Sequence, residues 1–126
     1  MISATSEIVR MIDRAYQKKR ELEKQLKKVE DRKAQDEREL RRFELRVYEK
    51  SKRNDNAFLE MAKITHEKGR IKNENKEIAK LFKRWLDVDK KIGQLQRWTK
   101  QAELYRDSEK KQRDAVSQAT YVFKTL

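Results

Sequence analysis

Ser51-Lys52-Arg53-Asn54-Asp55-Asn56 is the one stretch of this sequence in which helix-forming residues thin out. Its three consecutive Asn and Asp residues can hydrogen-bond their own backbone and cap a helix that follows. Elsewhere the sequence has no proline and only two glycines, Gly69 and Gly93, so little else in it interrupts a helix. The sequence therefore predicts two long helices, residues 6–52 and 57–123, joined by a turn at 53–56.

The composition sets how these helices can bury apolar surface. Of the 126 residues, 36% are hydrophobic and 44% are charged. This is too little apolar surface for a globular core, whereas a narrow seam between helices needs only about two apolar positions in seven. We therefore predict an all-α fold in which residues 1–126 form a single domain, an antiparallel coiled-coil hairpin with a longer second helix.

Apolar residues recur in steps of four and three on both predicted helices. The first helix gives the seam Ile8, Ile12, Ala15, Lys19, Leu22, Leu26, Val29, Lys33, Asp36, Leu40, Phe43 and Val47. The second gives Met61, Ile64, Lys68, Ile71, Asn75, Ile78, Phe82 and Trp85, and continues to Trp98 only after shortened steps. A hairpin that brings residue i opposite about residue 110 − i places the polar seam positions of both helices together.

The end of the second predicted helix has no partner in this register. It still carries an apolar stripe at helical spacing, and such a stripe usually packs against another protein or a second copy of the chain. The alternative is that the last turns fray in solvent or fold back locally. The predicted partner-binding residues in this stripe are Tyr105, Val116, Ala119, Tyr121, Val122 and Phe123.

The sequence offers little for catalysis or cofactor binding. It has no cysteine and one histidine, His66, and neither glycine lies in a phosphate-binding loop. We therefore predict a protein that is not an enzyme and has no catalytic residues, metal ligands or cofactor. No stretch is apolar for long enough to span a membrane, and the N-terminal residues do not resemble a secretory signal, so we expect a cytoplasmic protein.

The net charge of +12 is spread along the whole chain. Basic pairs such as Lys27-Lys28 and Arg41-Arg42 predict nonspecific nucleic-acid binding at low salt. Carboxylates lie among these lysines in the sequence, for example Glu30 and Asp31, and a dedicated nucleic-acid helix normally lacks them on its contact face.

The chain resembles the stalk proteins of type III secretion and flagellar export, the FliJ/YscO family. The resemblance lies in the length, the hairpin topology, the opening helix from Glu7-Ile8-Val9-Arg10 to Leu26, and the ending from Lys110-Lys111-Gln112-Arg113 through Ala119-Thr120-Tyr121. It implies that the paired termini insert into a hexameric export ATPase and that the turn faces a membrane export gate. By position, the ATPase-facing residues would be Val116, Ala119, Tyr121, Val122 and Phe123, and the gate-facing residues would be Phe43, Val47, Phe58 and Met61. The short loop around Asn54 departs from members with a longer connection.

These observations predict a non-enzymatic coiled-coil assembly or stalk component of a larger protein complex. The alternative is a basic helical structural subunit of a nucleic-acid-containing or other multi-subunit complex. A dimer of unbroken helices is a third possibility, and it would require Asn54 to Asn56 to remain helical.

Overall fold

A computed structural model describes residues 3 to 126 and contains three helices in this range. They are α1 (Ala4–Lys52), α2 (Phe58–Leu104) and α3 (Glu109–Lys124). The remainder of residues 3 to 126 forms turns and short irregular segments, without a strand. The prediction of an all-α protein is confirmed.

The prediction of one uninterrupted second helix from 57 to 123 is wrong. α2 ends at Leu104, and α3 begins after Ser108, whose hydroxyl accepts a hydrogen bond from the Lys111 backbone N–H at 3.4 Å. A serine at this position satisfies a backbone donor that the first turn of a new helix leaves unpaired. As a result α2, with 47 residues, is slightly shorter than α1, with 49, and the predicted longer second helix is also wrong.

Between α1 and α2 the chain turns through its Asn and Asp residues. Asn54 adopts a positive φ of 57°, a conformation that asparagine tolerates better than most residues. The Asp55 N–H donates to the Lys50 carbonyl at 2.9 Å, and the Asn56 side-chain oxygen accepts from the Phe58 N–H at 2.9 Å. The turn therefore closes α1 and caps α2 with local hydrogen bonds.

The chain divides into two compact units. Unit 2 is Lys24–Phe82, and unit 1 consists of the residues up to Glu23 together with Lys83–Leu126. In unit 2, Lys50 contacts Glu60 at 2.6 Å and Arg32 contacts Glu77 at 3.2 Å, so α1 and α2 run in opposite directions there. Unit 2 thus consists of two helical segments joined by the turn.

Unit 1 contains three helical segments where the sequence predicted two. α3 folds back along α2, since the Gln112 side chain donates to the Ala102 carbonyl at 3.4 Å and Lys91 donates to the Thr125 carbonyl at 2.8 Å. Lys18 of α1 also hydrogen-bonds the Leu126 carbonyl. The side chains buried between the three segments are Ile8, Ala15, Leu22, Val88, Ile92, Leu95, Ala102, Ala115 and Ala119.

The seam predicted for α1 is confirmed, because each of its positions is buried or half-buried. On α2 the predicted positions Ile64, Ile71, Ile78 and Trp85 are half-buried, as expected, whereas Met61, Lys68, Asn75 and Phe82 are exposed, each one residue beyond a buried position. Seven of the eight buried positions of α2 follow a seven-residue repeat, Glu60, Glu67, Glu74, Leu81, Val88, Leu95 and Ala102, and the eighth, Ile92, lies four residues after Val88. The shortened steps predicted near Trp85 and Trp98 are therefore unnecessary, because one heptad phase accounts for the whole of α2.

Candidate partner-binding surfaces

Large apolar side chains are exposed on both sides of the turn in unit 2. Phe58, at the start of α2, is 76% exposed, and each of the others is more than half exposed. We call this set the tip surface: Leu45, Tyr48, Phe58, Leu59 and Met61. Exposed apolar side chains concentrated in one region are typical of protein interaction sites.

Four residues near the turn were predicted as partner-binding, and the structure separates them into two pairs. Phe58 and Met61 belong to the tip surface. Phe43 and Val47 are half-buried in the α1 seam. Arg46 and Lys63 lie over the Phe43 ring at 5.7 and 5.5 Å, so cations partly cover this ring. The exposed pair is therefore the better placed to contact a partner.

Sequence reasoning missed Leu45, Tyr48 and Leu59. Leu45 and Tyr48 lie outside the repeat that defines the α1 seam, and that departure was the available signal, because a large apolar residue off the seam has nothing to pack against. Leu59 lies outside both the predicted and the observed seam of α2, so the same signal applied to it.

The predicted C-terminal stripe lies in unit 1 and is largely covered there. Ala119 is fully buried, and Val116, Val122 and Phe123 are half-buried. The expectation that this segment has no partner within the chain is therefore wrong. Tyr105 and Tyr121 are the exposed residues of the stripe, and Tyr121 is the more exposed, with 71% of its surface accessible.

Tyr105 occupies the connection between α2 and α3. Its ring is 3.9 Å from the Lys111 ammonium, close enough for a cation–π contact. Contact of Tyr105 and Tyr121 with another protein stays a prediction, while Ala119 lies inside unit 1.

Unit 2 also contains an acidic layer within its seam. Asp36 and Glu74 are buried side by side, and burial, followed by the hydrogen bond with Asp36, raises the pKa of Glu74 to about 7. A protonated Glu74 can donate that hydrogen bond to an ionised Asp36. The sequence predicted Asp36 in a polar layer opposite about residue 74, but it took the neighbouring Asn75 as the seam residue there, whereas Glu74 is the buried one.

Arginines partly neutralise this layer. Arg70 lies 4.0 Å from Asp36 and 3.4 Å from Glu67, and Arg32 pairs with Glu77 at 3.2 Å. One oxygen of Glu67 and one of Glu74 nevertheless lack a hydrogen-bond partner. Within residues 3 to 126, no group of three or more His, Cys, Asp or Glu side chains is placed so that it could hold a metal ion. The layer therefore consists of buried carboxylates that are only partly compensated.

At the turn end of the seam, Glu60 has a stronger partner. The hydrogen bond from Lys50 lowers the pKa of Glu60 and keeps this carboxylate ionised. Its second oxygen is buried without a hydrogen-bond partner. The three glutamates that point into the seam thus lie at successive heptad positions, and the pKa of Glu60 is lowered whereas that of Glu74 is raised.

In unit 1, a lysine at a seam position is accommodated by aromatic rings. The Lys19 ammonium lies 4.7 Å from the Trp85 ring centre and donates to Asp89 at 2.8 Å. That hydrogen bond raises the pKa of Lys19. The Trp85 indole N–H in turn donates to Glu23 at 3.0 Å. This cluster accounts for Lys19 and Trp85 as packing residues of unit 1.

Comparisons with protein-family models, with curated proteins and with solved structures found no match for this chain. In the part of the chain that the structure describes, no helix combines the length and apolar character needed to cross a membrane. Function must therefore be argued from the surfaces themselves.

Proposed function

We propose that the chain is a non-enzymatic assembly subunit that joins a larger protein complex through the tip surface. The observation that supports this proposal is the exposure of five large apolar side chains on the two sides of one turn. Burying such side chains against a partner is favourable, and aromatic residues such as Tyr48 and Phe58 often dominate protein interfaces.

The finer form of the proposal is a central stalk of a type III export apparatus, in which the two helices form a coiled-coil hairpin. It rests on the resemblance to the FliJ/YscO family. In this form the tip surface contacts a membrane export gate and the α3 end contacts a hexameric ATPase. Because Ala119 is buried, Tyr121 is the residue of the C-terminal stripe that we expect to reach the ATPase. Association with a second copy of the chain through the tip surface is the alternative form.

The double variant Phe58→Ser/Met61→Ser tests the proposal. Truncating central interface residues typically costs about 2 kcal/mol or more, which corresponds to roughly 30-fold weaker binding. We expect the variant to keep its helical content and to lose its protein partners when the complex, isolated from the native source after nuclease treatment, is washed at about half-molar salt. Mass spectrometry of the retained proteins provides the measurement.

The matched control is Leu86→Ser/Leu104→Ser, which changes two exposed apolar residues of α2 in unit 1. It should retain the partners. Retained ATPase and export-gate subunits would support the stalk form. The proposal would be rejected if the tip variant kept all salt-resistant partners, or if the partners of the unchanged protein disappeared with nuclease or salt alone.

A further inference from the structure

Four lysines form a row on the outer face of α2 in unit 2: Lys68, Lys72, Lys76 and Lys80. All four are exposed, and each follows the previous one by four residues. This spacing advances about 40° around a helix at each step, so the four side chains form an oblique row that turns about 120° around the helix over about 18 Å. We call it the outer lysine row.

The heptad phase of α2 removes carboxylates from this row. In the sequence, Glu67 and Glu74 alternate with the lysines, but in the structure both are buried in the seam. Glu77 is paired with Arg32 of α1. The interleaved acidic residues therefore do not neutralise the outer lysine row, although the sequence alone suggests that they do.

The lysines of the row are also unpaired. In the region from residue 3 to 126, the cations that form ion pairs in unit 2 are Arg32, Lys33, Lys50, Arg53 and Arg70. Like charges four residues apart on a helix repel each other, so three successive lysine pairs oppose folding of this segment. An anionic partner would turn this repulsion into attraction.

The surroundings of the row decide which anionic partner fits. A helix that lies on a membrane needs apolar residues exposed beside its lysines, whereas Ile64, Ile71 and Ile78 of α2 lie in the seam, half-buried. No Phe, Tyr or Trp occurs between residues 65 and 80, so the row lacks rings on which single-stranded bases could stack. At Gly69 an added Cβ would meet no atom within 4 Å, so the helix surface is open there.

We propose that the outer lysine row binds the phosphate backbone of double-stranded nucleic acid without sequence preference. A duplex presents about one negative charge per 1.7 Å of its axis, so several phosphates lie within the length of the row. Lysines contact phosphates as point charges and do not distinguish bases. This binding goes beyond the proposed protein contact at the tip surface and uses different residues.

The test is fluorescence anisotropy of the full chain with a labelled DNA duplex of about 20 base pairs, titrated between about 50 and 200 mM salt. The variant is Lys72→Gln/Lys76→Gln/Lys80→Gln. The matched control is Lys24→Gln/Arg38→Gln/Lys52→Gln, which removes the same charge from separated, exposed basic residues of α1 in the same unit and leaves the pairs Lys27-Lys28 and Arg41-Arg42 intact. Circular dichroism of both variants checks that the helices remain folded.

We expect the row variant to lower the slope of log K against log salt by about 2.7, since each lost phosphate contact contributes about 0.9. Its affinity at 100 mM salt should fall at least about tenfold, while the control should lose less than about twofold and keep its slope. The proposal is overturned if both variants weaken binding equally, because net charge would then suffice, or if the row variant leaves the slope unchanged.

Two further measurements separate this site from other sources of binding. Vesicles with about 30% phosphatidylserine should bind the row variant and the control equally; a loss confined to the row variant, with duplex binding intact, would replace nucleic acid by a membrane as the ligand. The Phe58→Ser/Met61→Ser variant should bind the duplex normally. Failure of the protein-partner proposal and failure of this one are therefore distinguishable.

Discussion

Replacing Leu95 by alanine should lower the midpoint of thermal unfolding by about 8 to 20 °C. Leu95 is fully buried in unit 1, at a heptad position of α2. Leu→Ala changes at such sites cost about 2 to 5 kcal/mol, because apolar contacts are lost and a cavity remains. In a chain of this size each kcal/mol shifts the midpoint by roughly 4 °C. Circular dichroism at a helical wavelength, followed during heating, provides the measurement.

Leu104→Ala is the matched control for this prediction. Leu104 belongs to the same helix and unit but is 78% exposed, so its truncation should shift the midpoint by no more than about 2 °C. Equal shifts for the two variants would contradict the assignment of the buried face of α2. A small shift for Leu95→Ala alone would mean that unit 1 does not pack as a core.

The contrast between α1 and α2 explains how far the sequence predicts the fold. On α1, apolar residues such as Ile8, Leu22 and Val29 occupy enough seam positions to define the phase without ambiguity. On α2, Met61 and Phe82 suggest a phase in which they are buried, and burying glutamates instead is costly. The phase therefore becomes clear only from the distal half of the helix, where Leu81, Val88, Leu95 and Ala102 recur every seven residues.

The end of α2 was missed for a different reason. The residues around Ser108 include the good helix formers Arg106, Glu109 and Lys110 and no glycine or proline, so local propensity allows one continuous helix. What ends α2 is the burial of Ala115 and Ala119 after the chain folds back, together with the Ser108 cap. This tertiary packing is not visible in a helical periodicity, which identifies an apolar face but not what covers it.

The candidate surfaces, too, could be predicted from the sequence only in part. Phe58 and Met61 could be predicted from their position beside the turn, because the turn itself is encoded by local residues. The outer lysine row could not, because whether Glu67 and Glu74 neutralise it depends on a one-residue difference in phase. The same heptad repeat thus places carboxylates in the seam and leaves uncompensated lysines outside. A charge count along the sequence cannot distinguish these two locations.

Replacing Glu74 by glutamine should remove a pH dependence of stability that arises in the acidic layer. The folded-state pKa of Glu74 is about 7, above its ordinary value of 4.5. Between these values the folded protein holds a proton that the unfolded chain has released, so this contribution to stability falls as the pH rises through the window. At pH 8 both states have lost the proton, and the folded state carries the full cost of a buried, ionised Glu74 beside Asp36.

Glutamine stays neutral at every pH and can still donate a hydrogen bond to Asp36. Each unit by which a folded pKa exceeds its unfolded value corresponds to about 1.4 kcal/mol, and Arg32 and Arg70 moderate the effect. We therefore expect Glu74→Gln to raise the free energy of unfolding by about 1 to 3 kcal/mol at pH 8 and to change it little at pH 4.5. Urea unfolding of both proteins from pH 4.5 to 8 measures the difference.

Glu77→Gln is the control, because Glu77 lies in the same layer but is half exposed and paired with Arg32. It removes the same formal charge, and we expect it to change stability by less than about 1 kcal/mol, with no gain at pH 8. If Glu74→Gln stabilised the protein equally at pH 4.5 and 8, the effect would come from packing rather than from the proton. If Glu77→Gln gave the same gain at pH 8, the cause would be the total charge of the layer, and Glu74 would have no special role in it.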